Sequence, residues 1–341
     1  MKKSKDIARA IIESTVDRSL RDLDEDPRRS IRKLNDLGRQ FSKGRFMDDI
    51  YSLFDELLRN DDSPYYSAIE HVFHHTSRKA LTTFGVNVGY SSFTKGGRIL
   101  RDSQVREDCT LPWAITVNHD PLCEFTTSPA ELDRYVKEGM FLGIFAYIIK
   151  IHHSLSTFKD ISGVVEKYPE CAFFIIMPDC EMTEDQAALL SLCPNAMSFY
   201  NTQGDYSDMN ALLMRHQKAW YGSYANYNDS NAKQQISDAG LRKCMALESA
   251  FSLFIPEDGT SDAVKAETAE KLKQMRLAPS FPLFLFDLFG DTYSISRIIG
   301  GSLCFLDILE TGSIRTQNGT YPPAAPGTPL LDIFKTYLPA E

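Results

Sequence analysis

The stretch that decides the fold begins with the run Leu111-Pro112-Trp113-Ala114-Ile115-Thr116-Val117-Asn118. A short loop and a helical segment then lead to a second apolar run, Ile144-Phe145-Ala146-Tyr147-Ile148-Ile149-Lys150-Ile151. Runs without polar alternation are typical of strands in a parallel sheet, where helices cover one face and a core fills the other. The two runs therefore predict the first βα unit of a barrel.

The same alternation continues toward the carboxyl terminus. Further apolar strands are predicted at 172–177, 196–200, 220–227 and 250–255. The helices that connect and follow them are predicted at 159–167, 183–192, 209–218, 234–247 and 261–275. Six strands in regular alternation with helices predict an α/β fold, an open partial (β/α)6 TIM-like barrel with right-handed crossovers.

The flanks of this pattern differ from its centre. Before the barrel the pattern is helical only. A first helix from residue 5 is predicted to end before Asp26-Pro27, a second to begin at Pro27 with Asp26 as its cap, and further helices are predicted at 46–58, 64–76 and 80–91. After it, strands are predicted at 281–286 and 302–309, followed by a turn at Thr311-Gly312, a loop over 317–329 and a closing helix at 330–337. We expect three units: a helical N-terminal region (1–109), the partial barrel (110–279) and a small C-terminal β extension with the closing helix (280–341).

Composition limits the classes of partner. The formal net charge of −9 disfavours a protein that binds the phosphate backbone of nucleic acids, which needs a basic face. No apolar run reaches the roughly 20 residues that span a bilayer, so neither nucleic acid nor membrane is expected, and the prediction is a cytoplasmic protein. The seven cysteines are scattered without a CxxC pair, which indicates neither a disulfide framework nor a zinc ribbon.

Polar residues follow four of the predicted strands. His119 and Cys123 come after the first, His152 and His153 after the second, and Asp179 and Asn201 after the third and fourth. A barrel gathers the carboxyl ends of its strands at one opening, so these six residues are the predicted ligand-binding set.

Two interpretations of this set stay open. Histidine and carboxylate side chains are ligands for zinc, iron or manganese, and a site formed by His119, His152 and Asp179 is one hypothesis. The plainer interpretation is that the polar side chains satisfy one another. Strand alternation lets only one of His152 and His153 point into the opening, so we expect one of them to carry any role there.

A resemblance to a known family rests on five phrases of the chain. They are Leu111-Pro112-Trp113-Ala114-Ile115, Phe254-Ile255-Pro256-Glu257-Asp258-Gly259, Phe284-Leu285-Phe286-Asp287, Ile299-Gly300-Gly301-Ser302-Leu303-Cys304-Phe305-Leu306-Asp307-Ile308 and Gly312-Ser313-Ile314. With them, roughly residues 111–315 resemble a radical S-adenosylmethionine enzyme that carries a SPASM-like C-terminal extension. The resemblance implies a partial barrel whose mouth holds the active site.

The cofactor motifs of that family are not matched. The family's CxxxCxxC loop supplies three thiolates to a [4Fe-4S] cluster, whereas the loop here has Cys123, with Thr127 and Ala130 at the other two positions. Ile151-His152-His153-Ser154 stands where the family has a glycine-rich turn. We therefore expect no cluster and no S-adenosylmethionine, and leave room for a transition metal.

The leading functional hypothesis follows from those losses. It is a binding or regulatory protein, a pseudoenzyme without catalytic residues, with a protein or peptide as partner. The alternative is an enzyme with replacement chemistry at the barrel mouth, either metal-dependent or using His152 or His153 as a general base. An active radical enzyme is the third hypothesis.

Overall fold

The computed structural model describes residues 6–41 and 54–340. These residues form one ten-stranded sheet that organises the molecule. Its strands, in chain order, are β1 (Ala114–His119), β2 (Ala146–Ile151), β3 (Ala172–Ile176), β4 (Ala196–Asn201), β5 (Tyr221–Tyr227), β6 (Phe251–Pro256), β7 (Phe284–Asp287), β8 (Leu306–Ile308), β9 (Ile314–Thr316) and β10 (Gly319–Tyr321).

Strand order confirms the predicted α/β class. Strands β1 to β7 lie side by side in chain order and run parallel, as in a partial TIM-like barrel. On the other side of β1 the sheet continues through β8, which is parallel to β1, and then through the antiparallel strands β9 and β10. Within the described residues, β7 and β10 are the two outer edges, so the barrel is open.

Helices precede the barrel, connect its strands and follow them. Those before it are α1 (Ile7–Arg21), α2 (Pro27–Phe41), α3 (Pro64–His75), α4 (Arg78–Val86) and α5 (Gly97–Glu107). Those that follow are α6 (Pro129–Leu142), α7 (Phe158–Lys167), α8 (Glu184–Ser191), α9 (Ser207–His216), α10 (Ala232–Gln235), α11 (Asp238–Ala246), α12 (Asp262–Leu277), α13 (Leu288–Gly300) and α14 (Leu330–Tyr337). Among the described helices, none has the length and apolar character needed to cross a membrane.

The N-terminal prediction of helices is confirmed where the structure describes it. Asp26 caps α2, with Pro27 as its first residue and the Arg29 amide donating to the Asp26 carboxylate at 3.1 Å. The helix predicted at 46–58 lies mostly outside the described residues, and residues 54–57 are helical. Between α4 and α5 the chain stays helical and widens into a π-helix over Asn87–Gly96.

Strand alternation divides the core into two layers. Side chains such as Ile115, Tyr147 and Phe173 pack between the sheet and the outer helices. Their neighbours along the strands, such as Ile148 and Phe174, face the barrel interior and pack with residues of α4 and α13. Successive residues of a strand point to opposite faces, so a fully buried apolar strand supplies both layers.

The C-terminal segment corrects one prediction. The sequence analysis expected strands alone between 281 and 309, but helix α13 lies between β7 and β8, and the predicted strand at 302–309 is reduced to Leu306–Ile308. Asp287 caps α13, because its carboxylate accepts from the Gly290 amide at 2.5 Å. The buried residues of this helix recur at helical spacing: Leu288, Thr292, Ser296 and Ile299. The phenylalanine-rich run before the helix obscured this period in the sequence.

The predicted β extension belongs to the barrel sheet, because β8 pairs with β1. The closing helix lies where it was predicted, at Leu330–Tyr337. The three predicted unit boundaries remain a prediction.

Candidate functional site at the barrel mouth

Three neighbouring strands present polar side chains to the carboxyl end of the barrel interior. Asn118 on β1 lies opposite Lys150 on β2, and Asp307 on β8 lies opposite Thr116, two residues before Asn118 on the same face of β1. The Asn118 amide nitrogen donates to the Asp307 carboxylate at 2.6 Å and to the Ile308 carbonyl at 2.9 Å. Both Asn118 and Asp307 are buried, so this link is shielded from solvent.

Arg315 neutralises the buried carboxylate of Asp307. Its Nη2 and Nε donate to the Asp307 Oδ2 at 2.5 and 3.2 Å, and its Nη1 donates to Asp258 at 2.6 Å. Burial acts to lower the pKa of Arg315, but the two carboxylates outweigh burial and the pKa is raised. The Asp307 side chain is 0% exposed and that of Asp258 is 83% exposed, so the same guanidinium holds one buried and one solvated partner.

The His152 ring is oriented by Asn118. Because the Asn118 amide nitrogen is used by Asp307 and Ile308, its Oδ1 is the acceptor, and His152 Nε2 donates to it at 3.0 Å. Burial lowers the pKa of His152, which keeps the ring neutral near pH 7. The Nδ1 lone pair has no hydrogen-bond partner among the described residues. His152 therefore offers one acceptor atom to a ligand in the mouth.

Lys150 lies near the end of β2, two residues before His152. Its Nζ is 5.1 Å from the ring centroid of Phe289, and in the described part of the chain it has no hydrogen bond or ion pair. Burial lowers the pKa of Lys150, whereas Asp307 acts to raise it. Asp307 is already held by Arg315 and Asn118, so the ammonium remains available.

The other predicted residues after β1 and β2 have structural partners. The buried His119 ring bonds to the Thr127 carbonyl through Nδ1 at 2.8 Å and to Thr157 Oγ1 through Nε2 at 2.6 Å. His153 has a positive φ of 57° and its side chain is 65% exposed; its Nδ1 lies 2.9 Å from the Asp120 carboxylate. The two adjacent histidines thus have different surroundings, and His152 is the one held at the mouth.

The remaining predicted residues are Cys123, Asp179 and Asn201. The Asp179 carboxylate accepts from the backbone amides of Asp205 and Tyr206 at 3.1 and 3.3 Å. Asn201 accepts from the Gln203 amide at 3.0 Å, and Cys123 is a half-buried free thiol. These contacts organise loops, and the assignment of the six residues to ligand binding stays a prediction.

The sequence analysis missed Lys150, Asn118, Asp307 and Arg315 as site residues. A signal was present for two of them. Lys150 is a lysine within an apolar strand, and Asp307 stands between Leu306 and Ile308. Charged residues are almost never fully buried unless they are paired, so such positions indicate either a buried network or a site.

Comparison with known proteins finds similarity to solved structures. No family model and no curated protein matches the chain. The similar solved structures include three of SuiB, a radical S-adenosylmethionine enzyme from Streptococcus suis. SuiB bound to S-adenosylmethionine is 11% identical, with 78% of this chain and 81% of that chain covered and a TM-score of 0.49.

The other two SuiB structures give similar values. SuiB bound to the precursor peptide SuiA is 11% identical, covers 68% of this chain and 67% of that chain, and has a TM-score of 0.48. A further SuiB structure is 10% identical, with 78% of this chain and 81% of that chain covered and a TM-score of 0.46.

The prediction about cofactors is corrected by this comparison. The missing motifs led us to expect neither a cluster nor S-adenosylmethionine, whereas SuiB, which has a similar fold, is bound to S-adenosylmethionine in one of the matched structures. The expectation was based on the sequence motifs of two loops alone. The expectation is withdrawn.

The donor atoms at the barrel mouth come from the residues of this chain. Iron–sulfur clusters are held by cysteine thiolates, and the loop over 120–127 supplies Cys123 as its single cysteine. Within the described ranges, no three histidine, cysteine or carboxylate side chains are grouped so that they could hold a metal ion. No step is derived through a cluster.

Proposed function

We propose that this protein acts by binding, and that its barrel mouth holds a peptide segment that carries a carboxylate. The observation that carries the proposal is the Lys150 ammonium, which lies at the mouth without an ion-pair partner among the described residues. A partly desolvated ammonium gains most from an anionic ligand, because a charge-assisted hydrogen bond is stronger there than in water.

A second group at the mouth complements the lysine. His152 Nδ1 can accept a hydrogen bond, so the mouth offers a donor on β2 and an acceptor just after that strand, two residues apart. Residues two apart on a strand are about 6.7 Å apart, a distance that a peptide carboxylate and a nearby N–H can match. An extended peptide supplies both groups on one chain.

An adjacent groove supports an extended ligand over a compact one. A pocket of about 520 Å³ lies beside the mouth, between the end of β6, helices α12 and α13, and strands β9 and β10. Phe289, which contacts Lys150, also lines this groove with Tyr293 and Phe305. Aromatic rings beside a charged anchor suit a peptide with an apolar side chain next to its acidic residue.

Fluorescence anisotropy with three labelled peptides tests the proposal. The probes are acetyl-Gly-Phe-Glu-Phe-Gly-amide and its counterparts with glutamine or lysine in place of glutamate. We expect the glutamate peptide to bind roughly 5- to 20-fold more tightly than the glutamine peptide, and the lysine peptide to bind most weakly. Equal affinities for all three peptides would contradict the proposal.

Matched variants assign the preference to the mouth. Lys150→Met should remove the preference for glutamate, because it removes the ammonium and keeps the apolar stem. Lys137→Met removes an exposed lysine from the outer helix α6 and should leave the preference unchanged. A Lys150→Met protein that still prefers glutamate would place the ligand elsewhere.

One observation favours acid–base chemistry as a second candidate function. The neutral His152 ring is held through Nε2 and leaves Nδ1 free, an arrangement that suits a general base. Exchange of the Cα hydrogens of the glutamate peptide with deuterated solvent, followed by NMR, tests it. Exchange that is accelerated by the protein and lost in His152→Phe would support catalysis, and no acceleration leaves binding as the function.

A further inference from the structure

The guanidinium of Arg315 has two partners of opposite character. Its Nε and Nη2 donate to Asp307, whose side chain is 0% exposed and which also accepts from the Asn118 amide. Its Nη1 donates to the Asp258 carboxylate at 2.6 Å, and the Asp258 side chain is 83% exposed. The first partner is fixed inside the fold, whereas the second is within reach of solvent.

Asp258 is held at this position by one contact. It lies in the loop between β6 and α12, and in the described part of the chain its carboxylate has no hydrogen bond or ion pair besides the one with Arg315. An ion pair with a solvated partner contributes little to stability, because water replaces the lost contact. The Asp258 side chain can therefore leave Arg315 at low cost.

Arg315 and Lys150 lie beside the same aromatic ring. The Lys150 Nζ is 5.1 Å and the Arg315 Cζ is 5.2 Å from the ring centroid of Phe289, so the two cationic groups are at most about 10 Å apart. Burial lowers the pKa of Lys150, and the positive charge of Arg315 acts in the same direction. Two cations at such a distance repel each other, and an anion near both of them offsets the repulsion.

Asp258 supplies such an anion. It is bonded to Arg315, and its charge acts to raise the pKa of Lys150. Asp258, Phe289 and Arg315 also line the groove beside the mouth. One carboxylate that can leave is therefore already accommodated next to the two cations, and the chain itself supplies it.

The surrounding charges favour replacement of Asp258 over addition of a further anion. Asp307 is buried beside Arg315, and the charge of Glu310 acts to raise the pKa of Lys150. With Asp258, three carboxylates already surround the two cations, so a fourth would meet net repulsion. Replacement keeps the number of negative charges constant.

We propose that the carboxylate of the bound peptide displaces Asp258 from Arg315 Nη1, so that Arg315 and Lys150 hold the peptide carboxylate together. This inference rests on the proposed function, to which it adds Arg315 as a second anchor and Asp258 as an internal competitor. Asp258 occupies the anchor in the free protein and returns to water in the complex. The exchange selects a carboxylate over a neutral amide, because only an anion restores the charge-assisted hydrogen bond that Asp258 gives up.

Removal of the competitor tests the exchange. Asp258→Asn keeps the size of the side chain and removes its charge, so the peptide carboxylate no longer has to displace an anion. By fluorescence anisotropy, we expect acetyl-Gly-Phe-Glu-Phe-Gly-amide to bind Asp258→Asn about 2- to 5-fold more tightly than it binds the unsubstituted protein. The counterpart with glutamine in place of glutamate should bind both proteins alike.

Asp262→Asn is the matched control. Asp262 is the first residue of α12, is 100% exposed and is paired with Lys265. Its substitution also removes one negative charge and also releases a cation, but it leaves the contact between Arg315 and Asp258 in place. We expect the affinity for the glutamate peptide to change by less than about 1.5-fold. Equal gains for the two variants would show an effect of overall charge and would overturn the proposal.

A change at Arg315 assigns the gain to its guanidinium. Arg315→Lys keeps a positive charge for the buried Asp307 but loses the separate Nη1 arm. In this background Asp258→Asn should no longer tighten the binding of the glutamate peptide, and a gain that persists would overturn the assignment to Arg315. Melting temperature shows whether Arg315→Lys folds; if it does not, the comparison of Asp258→Asn with the unsubstituted protein decides the proposal by itself.

The outcomes separate this inference from the proposed function. If neither the unsubstituted protein nor Asp258→Asn prefers the glutamate peptide, the proposed function itself fails. If the unsubstituted protein prefers that peptide and Asp258→Asn does not increase the preference, the proposed function stands and the displacement is overturned. A preference that rises in Asp258→Asn and stays level in Asp262→Asn supports the displacement.

Discussion

Asn118 and Asp307 are hydrogen-bonded at 2.6 Å although 189 positions of the chain separate them. The bond joins the first barrel strand to β8, which the sequence analysis had placed in a separate extension. It also determines which way the Asn118 amide is turned, and therefore which nitrogen of His152 carries the proton. The chemistry of the mouth depends on this contact between distant segments.

Removing the buried partner of Arg315 should cost far more stability than removing its exposed partner. Asp307→Ala leaves the guanidinium and the Asn118 amide without their acceptor, and we expect a loss of about 3–5 kcal/mol in the free energy of unfolding. Asp258→Ala removes a carboxylate that is 83% exposed and should cost at most about 1 kcal/mol. Urea denaturation measures both; equal losses would show that burial does not control the strength of this network.

Asp287 should make stability fall as pH rises. Burial raises its pKa to about 6, so the folded state favours the protonated form. The stabilisation is complete below about pH 4, the ordinary value for an aspartate, and is lost as pH rises through about 6, a change of roughly 3 kcal/mol. Asp287→Asn should remove this loss, because asparagine stays neutral and can still cap α13.

The pH prediction is checked by chemical denaturation between pH 4 and 8. The stability of the unsubstituted protein relative to Asp287→Asn should decline over this interval. Asp262→Asn, at a fully exposed aspartate, is the control and should leave the profile unchanged. A constant difference between Asp287→Asn and the unsubstituted protein would mean that Asp287 ionises as easily in the fold as in the unfolded chain.

Gly139 should not tolerate a methyl group. A Cβ there would clash with the hydroxyl of the fully buried Tyr147, whose single proton lies within hydrogen-bond reach of the carbonyls of Val136 and Ile144. We expect Gly139→Ala to destabilise the protein by about 1–3 kcal/mol. Gly163→Ala, on an open helix surface, should stabilise it by up to about 1 kcal/mol. Thermal unfolding distinguishes them, and matching melting temperatures would contradict the steric argument.

His119 should be more important for stability than His153. Both ring nitrogens of the buried His119 are hydrogen-bonded, so His119→Ala leaves the Thr127 carbonyl and the Thr157 hydroxyl without that partner, and we expect a loss of about 2–3 kcal/mol. His153→Ala removes an exposed ring and should cost less than about 1 kcal/mol. Guanidinium denaturation of the two variants provides the comparison. A larger loss for His153→Ala would reverse this assignment.

The local pattern of the sequence was sufficient to predict the parallel strands and several helix ends. The strands predicted at 172–177 and 250–255 lie within a residue or two of Ala172–Ile176 and Phe251–Pro256. Such elements depend on residues close in sequence, because burial on both faces demands a continuous apolar run and a proline sets the first turn of a helix. Helix α13 was not predicted, because the phenylalanine-rich strand before it dominated the local sequence pattern.

Sequence by itself determined the α/β class, the order of the βα units and the closing helix at Leu330–Tyr337, since these follow from hydrophobic period and capping residues. Only the tertiary structure decided that β8 pairs with β1, that Asp307 and Arg315 lie beside Asn118, and that Trp220 lines an apolar cavity. These relationships join segments far apart in the chain. No local period encodes them, because pairing and packing between distant segments depend on which surfaces remain once the local elements have formed.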